Sequence, residues 1–192
     1  MLSDKQGLLF DDRDGEVYGT VRIGGQEWMA ENLRFRCEGS VPCNNDESLA
    51  PAYGRLYSWG AIAGAIPAGW HLPSLLEWEE LLWTAGAFEL ERSANIIEYK
   101  RVAPSLKTSR SWLPDKDFSS ASGDDLRFSV LPAGNCRRGS FTEFAKSAEF
   151  WSASCLGDCA CTFSFYNFSS SVFRSLSPVN GSSAHSIRCI RD

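Results

Sequence analysis

Between Val17 and Leu33 apolar and polar positions alternate around Gly24-Gly25, with Val21 and Ile23 before the glycines and Trp28 after them. A period of two interrupted by two glycines predicts a β-hairpin with a two-residue turn. From Arg36 to Ala52 the pattern dissolves, and Cys37, Pro42, Cys43, Asn44-Asn45 and Pro51 read as a loop. Leu56 to Ala65, rich in small residues, predicts a short helix. Ser74 and Glu77 then form a capping box after Pro73, and Leu75, Trp78, Leu81 and Leu82 recur at helical spacing until Gly86. Phe88 to Arg101 carries a second helical pattern, a candidate insertion. From Trp112 onward strand and loop dominate: Phe128 to Gly134 predicts a core strand ending in a turn, and Phe150-Trp151 begins another. No repeat or low-complexity linker divides the chain. Two helices early and strands at both ends give an α+β fold class, one domain over residues 1–192, whose termini can pair in one sheet.

Length supports a single core, because 192 residues bury about 70% of the surface the unfolded chain exposes. Seven Trp and twelve Phe exclude disorder. The net charge of −5, with Arg137-Arg138 only a pair, leaves no Lys/Arg stripe to displace counterions, so nucleic acid is excluded as a partner. No apolar run reaches membrane-spanning length, and Met1 to Phe10 lacks the apolar core of a signal peptide. Seven cysteines are an odd number, so at least one thiol has no partner within the chain.

Conventional active-site chemistry finds little support. Cys155, Cys159 and Cys161, with His185, lack the paired short spacing of structural zinc sites. Asp11, Asp12 and Asp14 before Gly15 read as a turn, since the later ligands of a calcium loop are missing. His71 precedes a capped helix and reads as structural. The sequence offers no Ser/His/Asp set, no carboxylates paired at a defined spacing and no phosphate-cradling glycines, so neither a cofactor nor a metal is expected.

The C-terminal stretch is different in kind. Ser152 to Asp192 contains no Lys, Glu, Gln, Met or Trp, although all five occur before it. If those types make up roughly a fifth of average usage, chance absence over this length is on the order of one in several thousand. The types that remain are the fifteen encoded when an Asn codon keeps its final pyrimidine and its first two bases are randomised, and every one of them is present. Such an alphabet points to a diversified binding surface. A purely compositional origin competes with it, because surface strands of secreted β-proteins are often Ser/Thr/Asn-rich and Lys-poor.

Several segments together resemble the Fibrobacter succinogenes major paralogous domain family. They are Asp12-Arg-Asp-Gly15, Gln26-Glu-Trp28-Met-Ala-Glu-Asn-Leu33, Tyr53-Gly-Arg-Leu-Tyr57-Ser-Trp59, Gly69-Trp-His71-Leu-Pro-Ser74 with Glu77-Trp78, Leu131-Pro-Ala-Gly134, Phe150-Trp-Ser152 and Ser186-Ile-Arg-Cys189-Ile-Arg-Asp192. The resemblance implies a C-type-lectin-like fold related to formylglycine-generating-enzyme domains, with a mixed or antiparallel sheet and long irregular loops. A variable surface needs a rigid core beneath it, which Trp28, Trp59, Trp70, Trp78 and Trp151 are expected to supply. Where the family usually has Cys-Pro before Gly-Trp-His, this chain has Ile66-Pro67, so the partner expected for Cys189 is missing. The Glu-Pro-Asn, Gln-Pro-Asp and Trp-Asn-Asp signatures of calcium-dependent lectins are absent, so the fold does not imply sugar binding.

Members of such families include targets of diversity-generating retroelements, which rewrite a C-terminal coding region with adenine-directed errors. The expected framework is Phe150, Trp151 and Ser186 to Asp192, with Val172 and Arg174 as fixed points; the expected variable region is 152–185. Phe163 and Phe165 alternate with Thr162, Ser164 and Tyr166, so in a strand the Phe pair faces the core and the other three face out. The expected ligand-binding set adds Leu156, Asp158, Cys161, Asn167, Phe173, Ser175, Leu176, Ser177, Asn180, Ser182, Ser183 and His185. The implied function is non-enzymatic binding of a cell-surface protein or glycan, as a phage receptor-binding tip or a bacterial adhesin, outside the cell or on a virion. The alternatives are an invariant carbohydrate- or protein-binding module of the same family and, third, a thiol oxidase of the formylglycine-generating type. Oligomeric state is left open.

Overall fold

The computed structural model describes residues 6–88, 90–93, 95–116 and 123–192; the first five residues of the Met1–Phe10 segment lie outside them. In chain order the strands are β1 (Gln6–Phe10), β2 (Val17–Ile23), β3 (Gln26–Met29), β4 (Ser40–Pro42), β5 (Arg55–Ser58), β6 (Trp70–His71), β7 (Leu90–Ser93), β8 (Ile96–Tyr99), β9 (Asn135–Arg137), β10 (Ser140–Thr142), β11 (Ser147–Leu156), β12 (Cys159–Tyr166), β13 (Val172–Pro178), β14 (Ser183–His185) and β15 (Ile190–Arg191). The helices are α1 (Ala50–Tyr53), α2 (Ile62–Ala65), α3 (Leu75–Thr84) and α4 (Ala103–Leu106). Among the described residues the strands form three antiparallel sheets of five, in the orders β1-β2-β3-β15-β6, β10-β9-β14-β5-β4 and β11-β12-β13-β8-β7. The chain is α+β with strands dominant.

The first hairpin follows its sequence pattern. Ile23 pairs with Gln26, leaving Gly24-Gly25 as the turn, and Gly24 takes φ +59° at the first central position, which a side chain there would resist. Trp28 is fully buried beside Val21 and Ile23. The termini meet as expected: Ile190 pairs with both Trp28 and His71, inserting β15 between β3 and β6.

Helix α3 is also as expected. The Ser74 hydroxyl accepts from Glu77 N at 3.3 Å while Glu77 returns a carboxylate to Ser74 N at 2.7 Å, a complete capping box. Trp78, Leu81 and Leu82 point inward with no exposure.

Three expectations are corrected. Phe88–Arg101 is not a second helix: its described residues form the β7–β8 hairpin, in which Ile97 and Tyr99 are buried while Ile96 is exposed. Pairing with β13 (Val172 with Tyr99, Arg174 with Ile97) overrides the local helical pattern. Leu56–Ser58 are strand rather than helix, and only Ile62–Ala65 of that segment is α-helical. Phe128–Gly134 buries Phe128 and Val130 without forming a strand, meeting neighbours only at isolated bridges. Ser129 lies at φ +56° and Pro132 has no N–H to donate, so no ladder can run through.

The third sheet has two unlike faces. On one, Phe150, Phe163 and Phe165 pack beneath α3, with Phe163 stacked on Trp78 at 4.8 Å between centroids. On the other, Trp151 donates its indole N–H to Tyr57 O at 2.8 Å and meets the Trp59 and His185 rings edge-on. The second sheet, through β5 and β14, thus covers the β11 side of that face. Trp28, Trp78 and Trp151 are fully buried, Trp70 is nearly so, and Trp59 is half-buried. Cys189 is buried in the cluster that Ile66 packs against, and all seven cysteines are free thiols. At Asp11–Gly15 the chain turns, as expected, with the Asp11 carboxylate gripped by Arg13 at 2.6 Å.

Candidate functional site

Strand alternation sends Thr162, Ser164 and Tyr166 of β12 to the face opposite Phe163 and Phe165. Antiparallel pairing then sets Phe173 opposite Ser164 and Ser175 opposite Thr162. Beyond the end of the second sheet this face opens into a cleft of about 320 Å³ lined by Ile96, Ser164, Tyr166, Phe168, Phe173 and Ser175. Tyr166 stacks on Phe168 (5.1 Å, 20°) and meets Phe173 edge-on (5.6 Å, 63°), so three rings wall one space. Phe168 is 53% exposed and Ile96 48%. Both are large apolar side chains that burial against a partner would stabilise.

The cleft's hydroxyls are paired or buried. Thr162 Oγ1 and Ser175 Oγ lie 2.9 Å apart, Ser164 is only 2% exposed, and the Tyr166 phenol has its pKa raised, chiefly by burial. Its loop is pinned from behind by Lys107, whose fully buried ammonium donates to Tyr166 O at 2.9 Å and sits 4.5 Å from the Trp112 ring centroid. Desolvation lowers that ammonium to about 8.

Ser164, Tyr166, Phe173 and Ser175 of the expected binding set therefore converge on one cleft. Leu156, Asp158, Asn180 and Ser182 are exposed, and Leu176 and Ser183 half-exposed, but none of them lines it. Thr162 is buried rather than outward-exposed, because Ser175 and the neighbouring strands close over it. Cys161 belongs to the inner face and is buried. Asn167 is buried with its amide on Leu113 O at 3.1 Å. His185 is fully buried against Trp151, and Ser177 is 8% exposed. These last five, and Ser164 at 2% exposed although it borders the cleft, present almost no surface to a ligand. Ile96 and Phe168 are the cleft residues that the sequence does not single out. Phe168 lies within the restricted segment but outside the strand alternation, and Ile96 lies in a segment whose local pattern is helical.

Burial also assembles polar groups far apart in sequence. His185 Nε2 lies 3.3 Å from Ser177 Oγ, and its Nδ1 lies 3.1 Å from Glu149 Oε2. That is the order of a nucleophile, base and orienting acid, yet Nδ1 lacks the alignment of a hydrogen bond. Glu149 is instead held by Arg137 at 2.9 Å and Asn135 at 3.0 Å. Burial raises the Glu149 pKa against the pull of Arg137, while burial and then Arg137 push His185 down to about 3. His71 takes Glu77 at 2.8 Å and Asp192 at 2.7 Å on its two ring nitrogens, a structural bridge from α3 to the C-terminal residue. Cys155 is exposed, Cys159 half-exposed and Cys161 buried, with the Cys161 thiol pushed up chiefly by burial. Among the described residues no group of three or more His, Cys, Asp or Glu could hold a metal ion, and no helix is long and apolar enough to cross a membrane.

The class this defines is a strand-rich α+β scaffold whose C-terminal segment both completes the sheets and lines a surface cleft. The sequence profile of the Fibrobacter succinogenes major domain matches residues 21–191, and the chain belongs to that family. No curated protein and no solved structure matches it.

Proposed function

We propose that this protein is a non-enzymatic binder with a C-type-lectin-like fold, whose C-terminal segment is a surface diversified by a retroelement. On this reading it acts outside the cell or on a virion, as a phage receptor-binding tip or a bacterial adhesin. The observation that carries the reading is the coincidence of two independent patterns. The segment from Ser152 uses only the fifteen residue types of a randomised pyrimidine-ending Asn codon, and four of its side chains, Ser164, Tyr166, Phe173 and Ser175, line one apolar cleft. Variable side chains belong on exposed positions over a rigid core. Ser, Asn, Gly, Tyr and Phe in such positions give a paratope-like mixture of rigid aromatics and adaptable polar groups.

An invariant binding module of the same family is the second reading. The burial of Cys161, Thr162, Ser164, Asn167, Ser177 and His185 favours it at those positions, because randomising them would disturb packing. The test is to sequence the genomic surroundings of the coding region. A near-repeat of its 3′ end, beside a reverse-transcriptase gene and mismatched at adenines in the codons of Leu156, Asp158, Tyr166, Phe173, Ser175 and Asn180, is the expected result. Absence of both repeat and reverse transcriptase eliminates diversification and leaves the invariant module.

A further inference from the structure

We propose that the cleft of Ile96, Ser164, Tyr166, Phe168, Phe173 and Ser175 receives an apolar or aromatic side chain of a protein partner, and not a sugar ring. This rests on the binding reading above and names the partner class for it. Polar groups decide between the two. A pyranose stacks well on aromatic rings, but each hydroxyl that it buries must find a new hydrogen bond or lose the one it had to water. The cleft has few polar groups to give. Ser175 is already paired with Thr162 at 2.9 Å, and Ser164 is only 2% exposed. The floor is main chain already used on both sides, since β12 is laddered to β11 and β13, and Phe173 lies between Ser164 and Glu98.

No charged side chain lines the cleft, so it complements neither a carboxylate nor a cation. Nearby Glu98 is occupied, accepting from Ser171 Oγ at 2.6 Å. What the site does offer is three aromatic rings and an isoleucine around a space of about 320 Å³, the scale of one or two large side chains. A buried apolar anchor surrounded by a polar rim is how protein interfaces concentrate their binding energy. A hydrophobic side chain loses no hydrogen bonds on entering.

The test is an NMR titration of the full chain with N-acetyl-L-phenylalaninamide, N-acetyl-L-leucinamide and the methyl glycosides of glucose, galactose and N-acetylglucosamine. The expected result is saturable shifts of Tyr166, Phe168 and Phe173 signals with the two amides, at dissociation constants on the order of millimolar, and none with the glycosides. Phe168→Ala and Ile96→Asp, both at exposed positions that the core does not need, each weaken amide binding about ten-fold. Shifts with glycosides alone overturn the protein-anchor inference while leaving a binding module standing. Shifts with no probe, or unchanged amide binding in both variants, overturn the cleft as the anchoring site. None of these outcomes bears on the genomic repeat, so the two proposals fail separately.

Discussion

Arg188 is the most demanding residue in the framework, and replacing it with lysine tests how that framework is held. Its side chain has no exposed surface. Nε donates to Asn32 Oδ1 at 2.9 Å, Nη2 to Ser129 O at 2.7 Å and Nη1 to Phe128 O, while the guanidinium lies 4.5 Å from the Phe128 ring centroid. Burial pushes it down to about 9, with Asp124 and Glu31 pulling the other way, so it stays charged at neutral pH. Three acceptors from two separate segments thus converge on one planar fork. An ammonium is a point donor on a flexible stem and can satisfy at most one of them in that geometry. Hydrogen bonds to charged groups contribute roughly 1.5–3 kcal/mol each, so losing two gives a destabilisation of about 3–6 kcal/mol. Against a typical total stability of about 5–15 kcal/mol that is a large fraction. Urea unfolding followed by Trp fluorescence should show the Arg188→Lys midpoint falling by about 1 M or more. Asn32→Ala, which removes only one of the three bonds to the fork, should cost less. A lysine variant within about 1 kcal/mol of wild type would refute the three-acceptor account.

Other perturbations probe the remaining contacts. Ser74→Ala removes the hydroxyl of the capping box and should lower stability by about 1 kcal/mol in the same urea assay. Phe163→Ala empties the centre of the inner face beside Trp78 and should cost about 3–5 kcal/mol, with loss of near-ultraviolet aromatic dichroism. Burial lowers the His71 pKa, but its hydrogen bonds to Glu77 and Asp192 outweigh that and raise it. Its contribution is therefore fully present below the imidazole's ordinary value of 6.5 and is lost as pH rises through the raised value, so the wild-type advantage over His71→Gln should shrink as pH is raised above 6.5. Lys107 has the opposite sign, because desolvation lowers it from 10.5 to about 8. Between those values the unfolded chain holds a proton that the folded chain has released, so wild-type stability relative to Lys107→Met should rise with pH from about 8 toward 10.5.

What can be read from the sequence depends on whether a residue's fate is decided nearby or across the fold. The Gly24-Gly25 turn, the Ser74–Glu77 box and the inward Phe163 and Phe165 follow from local rules of turn, cap and period, and the structure agrees with each. Phe88–Arg101 misleads because its hairpin exists through pairing with β13, far along the chain at Val172–Arg174. Phe128–Gly134 is half legible: the apolar positions are buried, but their path is fixed by Arg188 rather than by a ladder. In the cleft, alternation along β12 identifies Ser164 and Tyr166, and the restricted alphabet adds Phe173 and Ser175. Nothing local tells the buried Thr162, Ser164 and Ser177 from the half-buried Tyr166 and Ser175, since the difference is which part of that face the neighbouring elements cover.

The contacts that hold the C-terminal segment separate what can vary from what cannot. Lys107 grips the loop after β12 through the carbonyl of Tyr166. Ala103 N donates to Ser170 O, Asn167 N to Lys146 O and Val179 N to Asp158 O. These are main-chain partners, indifferent to the side chain at the position they touch. A phenylalanine, serine or asparagine at Tyr166 or Phe173 would leave every one of them in place and alter only the cleft. At Ser177 and His185 the side chains themselves meet one another and Trp151, so a substitution there exposes or strands buried groups. Diversification restricted to the first kind of position would change the ligand without changing the fold. The Lys107 anchor, which lies outside the restricted alphabet and donates to main-chain carbonyls, would then serve every variant of the surface equally.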